Sequence, residues 1–294
     1  MIAMLGAIIG DICGSIYEFD NRKTDRPETI DLANPACFYT DDTVLTVAVA
    51  EAAFGDRDYE KAILKWARAY PKESYGASFR VWFSSDNPRP YNSFGNGAAM
   101  RVSPVGWAFD SLEETLSEAE KSAACTHNHP EGIKGAKATA AAIFLARNGD
   151  EKEEIKAHIE KEFGYDLSRS LADIRPAYQF DETCQGTVPQ AITAFLESRD
   201  FSHAVQCAIS IGGDSDTLAA ITGSIAEAYY AQREDYIRLY PGMPKELVTF
   251  AKRKINADMV SVICGYYRHE LKEAVRMFTA IQKAKAGERR QTDE

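Results

Sequence analysis

The chain has 294 residues, of which 45% are hydrophobic and 27% charged, and a formal net charge of -10. That length and balance support a sizeable core in an ordinary globular protein. The acidic excess excludes a general nucleic-acid surface and an anionic-membrane surface, both of which rest on fields of Lys and Arg.

A small anionic ligand stays compatible, because metal ions or helix N-termini can hold it. Cys13, Cys37, Cys125, Cys184, Cys207 and Cys264 are scattered, with no CxxC and no Cys/His zinc spacing. They are expected to be buried free thiols in a reducing compartment. Residues 1–12 are apolar, but Asp11 interrupts them and no Lys or Arg precedes Arg22. This is neither a signal peptide nor a membrane span, and a cytoplasmic protein is expected.

Helical stripes follow one another along the chain. The first runs from Met4 to about Phe19 through Ile8, Ile9, Ile12 and Ile16, with Asp11 and Glu18 two turns apart on one face. A polar loop over 20–39 leads to Thr40-Asp41-Asp42-Thr43, which opens a helix with Val44, Val47 and Ala48. Tyr59, Ile63, Trp66, Ala67 and Tyr70 form another stripe, stopped by Pro71. Pro71 to Pro104 reads as a long loop, of the kind that often carries function. Ser111-Leu-Glu-Glu114 is a capping-box pattern. Pro130 starts a helix for which Asn128 is a good N-cap; Ile155, Ile159 and Phe163 mark the next.

Further along, Pro189 opens a segment with Ile192 and Phe195, and Ser202 one with Val205 and Ile209. The stretch Ile211-Gly-Gly-Asp214-Ser-Asp216-Thr217 opens a helix with Leu218, Ile221, Thr222 and Ile225. Pro244 precedes Leu247, Phe250 and Ile255. Stripes at 259–266 and 271–278 close the pattern, and the tail from Lys283 is polar. No run of alternating strands interrupts them. The expectation is an all-α fold, one compact domain of many helices over 1–282 and a polar tail over 283–294, as a monomer.

Two Asp–Asp–Thr clusters, each at a helix start, suggest one shared site. Each acid alone reads as a cap or a solvated side chain. Brought together, Glu18, Asp41, Asp42, Asp214 and Asp216 could not all stay ionised unaided, since two carboxylates at ~4 Å repel by roughly 4 kcal/mol at an effective dielectric near 20. Two divalent cations would nearly balance them. Oxygen donors suit Mg²⁺ or Mn²⁺, and Thr40 and Thr217 could add hydroxyl or carbonyl oxygens. The Gly/Asn stretch from Tyr91 to Arg101 brings small residues whose backbone N–H groups can approach a ligand, with Ser93 and Asn96 as directional partners and Phe94 beside them; as a motif by itself it reads more often as a plain turn. Thr126-His127-Asn128-His129-Pro130 precedes a Gly- and Ala-rich helix, and a neutral His127 could hydrogen-bond a phosphate or hydroxyl. There is no G-x-S-x-G and no nucleophilic triad motif.

Together these pieces resemble the ADP-ribosylglycohydrolases, including the dinitrogenase reductase-activating glycohydrolase. The matching residues are Gly6-Ala-Ile-Ile-Gly10-Asp11 with Glu18, Thr40-Asp-Asp-Thr43, Gly95-Asn-Gly-Ala-Ala-Met-Arg101, Thr126-His127 and Gly212-Gly-Asp-Ser-Asp-Thr217. They occur in the family's order; Ser215 stands where many relatives have Thr. The resemblance implies an all-α fold and a binuclear Mg²⁺ or Mn²⁺ centre. It assigns Thr40, Asp41, Asp42 and Asp216 to one metal, and Glu18, Asp214, Asp216 and Thr217 to the other, with Asp216 bridging. It places Ser93, Phe94, Gly95, Asn96, Gly97 and His127 around the diphosphate and ribose of ADP-ribose, and Asp11 behind the ligands as support.

The implied reaction is hydrolysis of the bond between ADP-ribose and a modified acceptor, a protein side chain such as arginine or serine or another conjugate, releasing ADP-ribose. Asp41 and Glu18 are the candidate bases for the attacking water. The acceptor pocket is expected between the loops 20–39 and 71–92. The rival readings are a catalytically inactive ADP-ribose-binding or structural relative, and a different two-metal hydrolase acting on phosphate esters.

Overall fold

The computed structural model describes residues 4–231 and 242–263 of the chain. Two helices at opposite ends of the sequence meet in its middle. α1 (Leu5–Gly14) is buried throughout. The helix that begins at the second acid cluster, Ser215–Ala231, is buried along nearly its whole length. Both are apolar on almost every side, the composition of helices enclosed by others. They cross at glycines: a Cβ on Gly6 would collide with the carbonyl of Gly223, one on Gly10 with that of Ala219, and one on Gly14 would lie 2.5 Å from the Cα of Asp216. The contact is backbone against backbone. It fixes where the acids at the head of Ser215–Ala231 stand.

The rest is built around this pair. In chain order come α2 (Asp41–Ala53), α3 (Tyr59–Ala69), α4 (Ala77–Ser84), α5 (Gly97–Met100), α6 (Ser103–Ala108), α7 (Leu112–Ala124) and α8 (Pro130–Asn148). There follow α9 (Lys152–Phe163), α10 (Leu171–Ile174), α11 (Cys184–Leu196), α12 (Phe201–Ile209), α13 (Ser215–Ala231) and α14 (Lys245–Lys254). α13 packs on α1, α8, α11 and α12, while α2 lies between α1 and α3. The all-α expectation holds. Among the described residues the backbone forms no sheet, only an isolated antiparallel bridge between Gly95 and Thr183, and no helix is long and apolar enough to cross a membrane.

Several boundaries differ from the periodicity. α1 ends at Gly14, and Glu18 follows in a turn, so Asp11 and Glu18 do not share a helical face. The span read as a loop over 71–104 contains α4 and α5, and α6 begins within it. α4 is stabilised by aromatic packing, in which Tyr75, Phe79, Trp82 and Phe83 form a cluster with ring centroids 5.3–5.7 Å apart. Aromatic residues are modest helix formers, so sequence propensity does not signal it. Pro189 lies inside α11, which starts earlier at Cys184, where the Thr183 side chain accepts the N–H of Gly186. The cap of α8 is His129, whose Nδ1 accepts from Glu131 N at 3.1 Å. Asn128 instead accepts from Asn92 N at 2.7 Å. α12 begins at Phe201, capped by Asp200 rather than opened by Ser202.

Other expectations stand wholly or in part. The five described cysteines are free and buried, and of the capping box only the Ser111 half forms: Ser111 accepts from Glu114 N at 3.2 Å, while the Glu114 carboxylate binds Arg57. Cys264, the stripe at 271–278 and the boundary at 282/283 lie outside the described residues.

α1 has no Ser, Thr or Asp before it. Its N-terminal amide at Gly6 donates to Glu227 Oε2 at 2.8 Å, a partner 221 residues away. Glu227 is buried, and burial pushes its carboxyl up to about 8, against the pull of backbone amides at Gly6, Leu5 and Met4. A carboxyl raised in the folded state binds more protons there than in the unfolded chain. Its share of stability is therefore full below the unfolded value and is lost as pH rises towards 8. Glu227→Gln should flatten this loss, so that the Tm difference between variant and parent moves in the variant's favour between pH 5 and 8 in thermal unfolding. Gly10→Ala should cost about 1–3 kcal/mol, read by urea unfolding, because the methyl overpacks the α1–α13 contact.

Candidate active site

The first half of the site is built at the head of α2. Thr40 is in extended conformation and its hydroxyl accepts from Asp42 N at 3.2 Å, which starts the helix. That hydroxyl donates in turn to Asp11 Oδ1 at 2.8 Å. Asp11 also receives Thr40 N and Thr43 N, each at 3.0 Å, and the Thr43 hydroxyl. One buried carboxylate from α1 thus gathers the donors at the α2 N-terminus. Asp11 supports the acids without lining the cleft they form, as the resemblance implied. Thr40 too is fully buried and stays outside the cleft lining.

The second half sits on the turn between α12 and α13. Gly212 and Gly213 have φ of 79° and 71°, a left-handed pair that side chains rarely adopt. The Gly213 amide donates to Asn21 Oδ1 at 3.1 Å, and Lys23 Nζ donates to Tyr178 O. The loop 20–39 therefore braces this turn and is not among the residues that line the cleft. The loop 71–92 does reach it, through Ser74, Ser78, Tyr91 and Asn92.

The halves meet. Thr217 Oγ1 donates to Asp42 Oδ2 at 3.0 Å across 175 residues, and Thr217 N donates to Asp216 Oδ1 at 2.9 Å. Oxygens of Glu18, Asp214 and Asp216 all lie within 4.8 Å of one another. Burial, then repulsion from Asp214, Asp41, Asp11 and Glu182, pushes Glu18 up to about 8. Burial, with Asp11 next, takes Asp41 up to about 7. Burial and neighbouring acids hold Asp42 and Asp216 well above the usual carboxylate range. Asp214 is raised by burial against hydrogen bonds from Asp216, Asn96 and Thr217. Among the described residues none of the five forms an ion pair with Lys, Arg or His. Crowded oxygen donors that no protein cation pairs with fit a hard divalent ion. The cluster is able to hold a metal.

These acids form one wall of a cleft of about 540 Å³. The opposite wall carries Ser93, Phe94, Gly95, Asn96, Gly97 and His127. The Gly95–Thr183 bridge pins that stretch: Asn96 N donates to Glu182 O at 2.7 Å and Cys184 N to Phe94 O at 2.9 Å. Gly95 N donates to Ser93 Oγ at 3.1 Å. The amides of Gly95 and Asn96 are thus engaged within the protein rather than offered to a ligand. Asn96 Nδ2 donates to Asp214 Oδ2 at 2.7 Å and Thr187 Oγ1 at 3.0 Å, so this residue ties the ligand wall to the acid wall. His127 is buried and held neutral, its pKa well below the usual value through burial and the nearby Arg101 charge. Glu182 and Phe79 also line the cleft. Neither stands in a motif. Glu182 lies there because the Gly95–Thr183 bridge brings its segment over, a pairing with no local signal.

The comparisons with known proteins agree with this geometry. The family model described as ADP-ribosylglycohydrolase matches residues 2–234. ADP-ribosylhydrolase ARH3 of Bos taurus is 25% identical, over 79% of this chain and 84% of that protein. ADP-ribosylarginine hydrolase Tri1 of Pseudomonas putida (strain GB-1) is 27% identical, over 84% and 72%. A solved structure described as an ADP-ribosylglycohydrolase-related protein complex superposes with a TM-score of 0.66 at 26% identity, covering 91% of this chain and 96% of that one. The chain belongs to the ADP-ribosylglycohydrolase family. It is an enzyme of the ADP-ribosyl-acceptor glycohydrolase class, for which ADP-ribose conjugates are substrates and ADP-ribose the product.

A cation that binds only the folded protein should stabilise it, by about 2.7 kcal/mol at a hundred times its Kd. Thermal unfolding with Mg²⁺, Mn²⁺ and a chelator should show a metal-dependent rise in Tm. Asp216→Ala should abolish that rise.

Proposed function

We propose that the protein hydrolyses the glycosidic bond between ADP-ribose and a modified acceptor in a reaction that depends on two Mg²⁺ or Mn²⁺ ions, reversing ADP-ribosylation. The observation that carries this reading is the convergence, in one cleft, of acids from both ends of the chain opposite the Ser93–Gly97 stretch and His127. Thr40, Asp41, Asp42 and Asp216 would hold one ion, and Glu18, Asp214, Asp216 and Thr217 the other. Bound there, the ions would supply positive charge to orient the ribose hydroxyls and stabilise charge in the transition state.

The chain's own groups would do the rest. Glu18 is committed to the tight oxygen triad with Asp214 and Asp216, whereas Asp41 lines the cleft outside it. We therefore assign to Asp41 the removal of a proton from the attacking water, with Glu18 as the other candidate base. Water attacks the anomeric carbon of the ribose as its bond to the acceptor breaks. The acceptor is a protein side chain, arginine as for Tri1 or serine, or another conjugate. The protein would act as a cytoplasmic monomer.

A release assay over a panel of defined ADP-ribosylated substrates, with Mg²⁺, Mn²⁺ or chelator, tests this. ADP-ribose release should need the metal. Asp41→Ala should lower kcat by about 10²–10⁴-fold, and Asp216→Ala should lose both turnover and bound metal. Full release with chelator present would falsify the metal-dependent reading. Metal-dependent ADP-ribose binding without any release would identify a non-catalytic relative, and phosphate release from nucleotides a phosphoesterase.

A further inference from the structure

Arg101 is the largest fully buried side chain of the described residues, and the mechanism above leaves it without a task. Its Nη2 donates to Ser122 O at 3.1 Å and to Thr126 Oγ1 at 2.7 Å. Nε and Nη1 have no hydrogen-bond partner, and no carboxylate pairs with the guanidinium among the described residues. A buried, unpaired cation is costly, so packing alone does not account for it. It lines the cleft beside His127.

We propose that Arg101, acting through the Thr126 hydroxyl, fixes His127 as the Nε2–H tautomer and so aims a hydrogen-bond donor at the phosphate-and-ribose side of the cleft. Thr126 Oγ1 stands 2.7 Å from His127 Nδ1 and 3.5 Å from Ala123 O. The hydroxyl has one proton, and it already accepts from Arg101. The shorter, stronger contact takes the proton, so Thr126 donates to His127 Nδ1. A hydroxyl that accepts from a cation is polarised into a better donor, which favours the same direction. With Nδ1 acting as acceptor, the neutral ring carries its hydrogen on Nε2.

Nε2 faces the ligand wall. A Cβ on Gly97 would lie 3.0 Å from it, and one on Gly95 3.6 Å. Glycine at 97 leaves the Nε2 side open, where a Cβ would crowd it, whereas one at 95 would only touch it. Burial and the Arg101 charge keep the ring neutral, as a relay with a single defined tautomer requires. Arg101 and Thr126 are positioning residues; only His127 would touch substrate. This inference rests on the hydrolase reading for its ligand, though not for its tautomer.

Long-range ¹H–¹⁵N correlation of the histidine rings in the full-length, ligand-free protein reads the tautomer directly. His127 should show an unprotonated Nδ1 and a protonated Nε2. Thr126→Val, close in shape but without the hydroxyl, should convert it to a mixture or to the Nδ1–H form, while Thr126→Ser should restore the parent signature. Calorimetric titration with ADP-ribose in Mg²⁺ should give a Kd about tenfold weaker for Thr126→Val, the loss of one hydrogen bond, with near-parent affinity for Thr126→Ser. Arg101→Lys, which keeps the charge without the fork, should lie between. In turnover, Thr126→Val should raise KM more than it lowers kcat. A parent His127 with Nδ1–H, or a Thr126→Val spectrum identical to the parent, overturns the relay. An altered tautomer with unchanged ADP-ribose affinity overturns its role in binding. Failure of the parent protein to bind ADP-ribose counts instead against the hydrolase reading, and the tautomer is still decided by the spectrum.

Discussion

Five carboxylates crowded into one cleft, none of them ion-paired among the described residues, are the constraint on which the rest of this structure depends. Desolvation and mutual repulsion both act against the charged forms. Donors from neighbouring elements hold part of the arrangement in place. Asp11 collects two threonines and their amides at the head of α2. Thr217 joins Asp216 to Asp42, and Asn96 holds Asp214 from across the cleft. The scaffold keeps the acids close even though they repel, as a site designed to receive positive charge requires.

Geometry of that kind needs a rigid frame, and the α1–α13 crossing provides it. With glycine at 6, 10 and 14 the two backbones approach until Gly14 abuts Asp216. Any side chain there would separate Asp11 of α1, and Glu18 just after it, from the acids of α13. Packing and chemistry are therefore one problem here. The left-handed pair Gly212–Gly213 has the same purpose, turning the chain sharply from α12 into the acids. The ligand wall is organised on another principle. In its Ser93–Gly97 stretch the amides of Gly95 and Asn96 are occupied by Ser93 and Glu182, and the His127 ring stands beside them in the cleft.

Much of this was legible in the chain. The helical stripes gave the all-α class, because a 3.6-residue apolar period survives whatever the tertiary context. Asp–Asp–Thr at two helix starts marked both halves of the acid cluster, because a helix N-terminus is where acids are cheap to place and easy to recognise. α4 and the start of α11 were hidden. The first depends on aromatic contacts between Tyr75 and Phe83, and the second on a Thr183 cap ahead of a proline that reads as a helix start. Both are decided by neighbours rather than by period.

The sequence by itself determined the class of fold, the kinds of donor atoms and the family to which the motifs belong. The first two follow from local periodicity and residue chemistry, the third from the resemblance of five motifs in their order. Only the tertiary structure decided that Glu227 caps α1 from 221 residues away, that the loop 20–39 braces the Gly212–Gly213 turn, that Asn96 bonds Asp214, and that Glu182 reaches the cleft. Each of those is a contact between segments far apart in the chain. No local pattern encodes such a contact, because its energy exists only once the helices have packed.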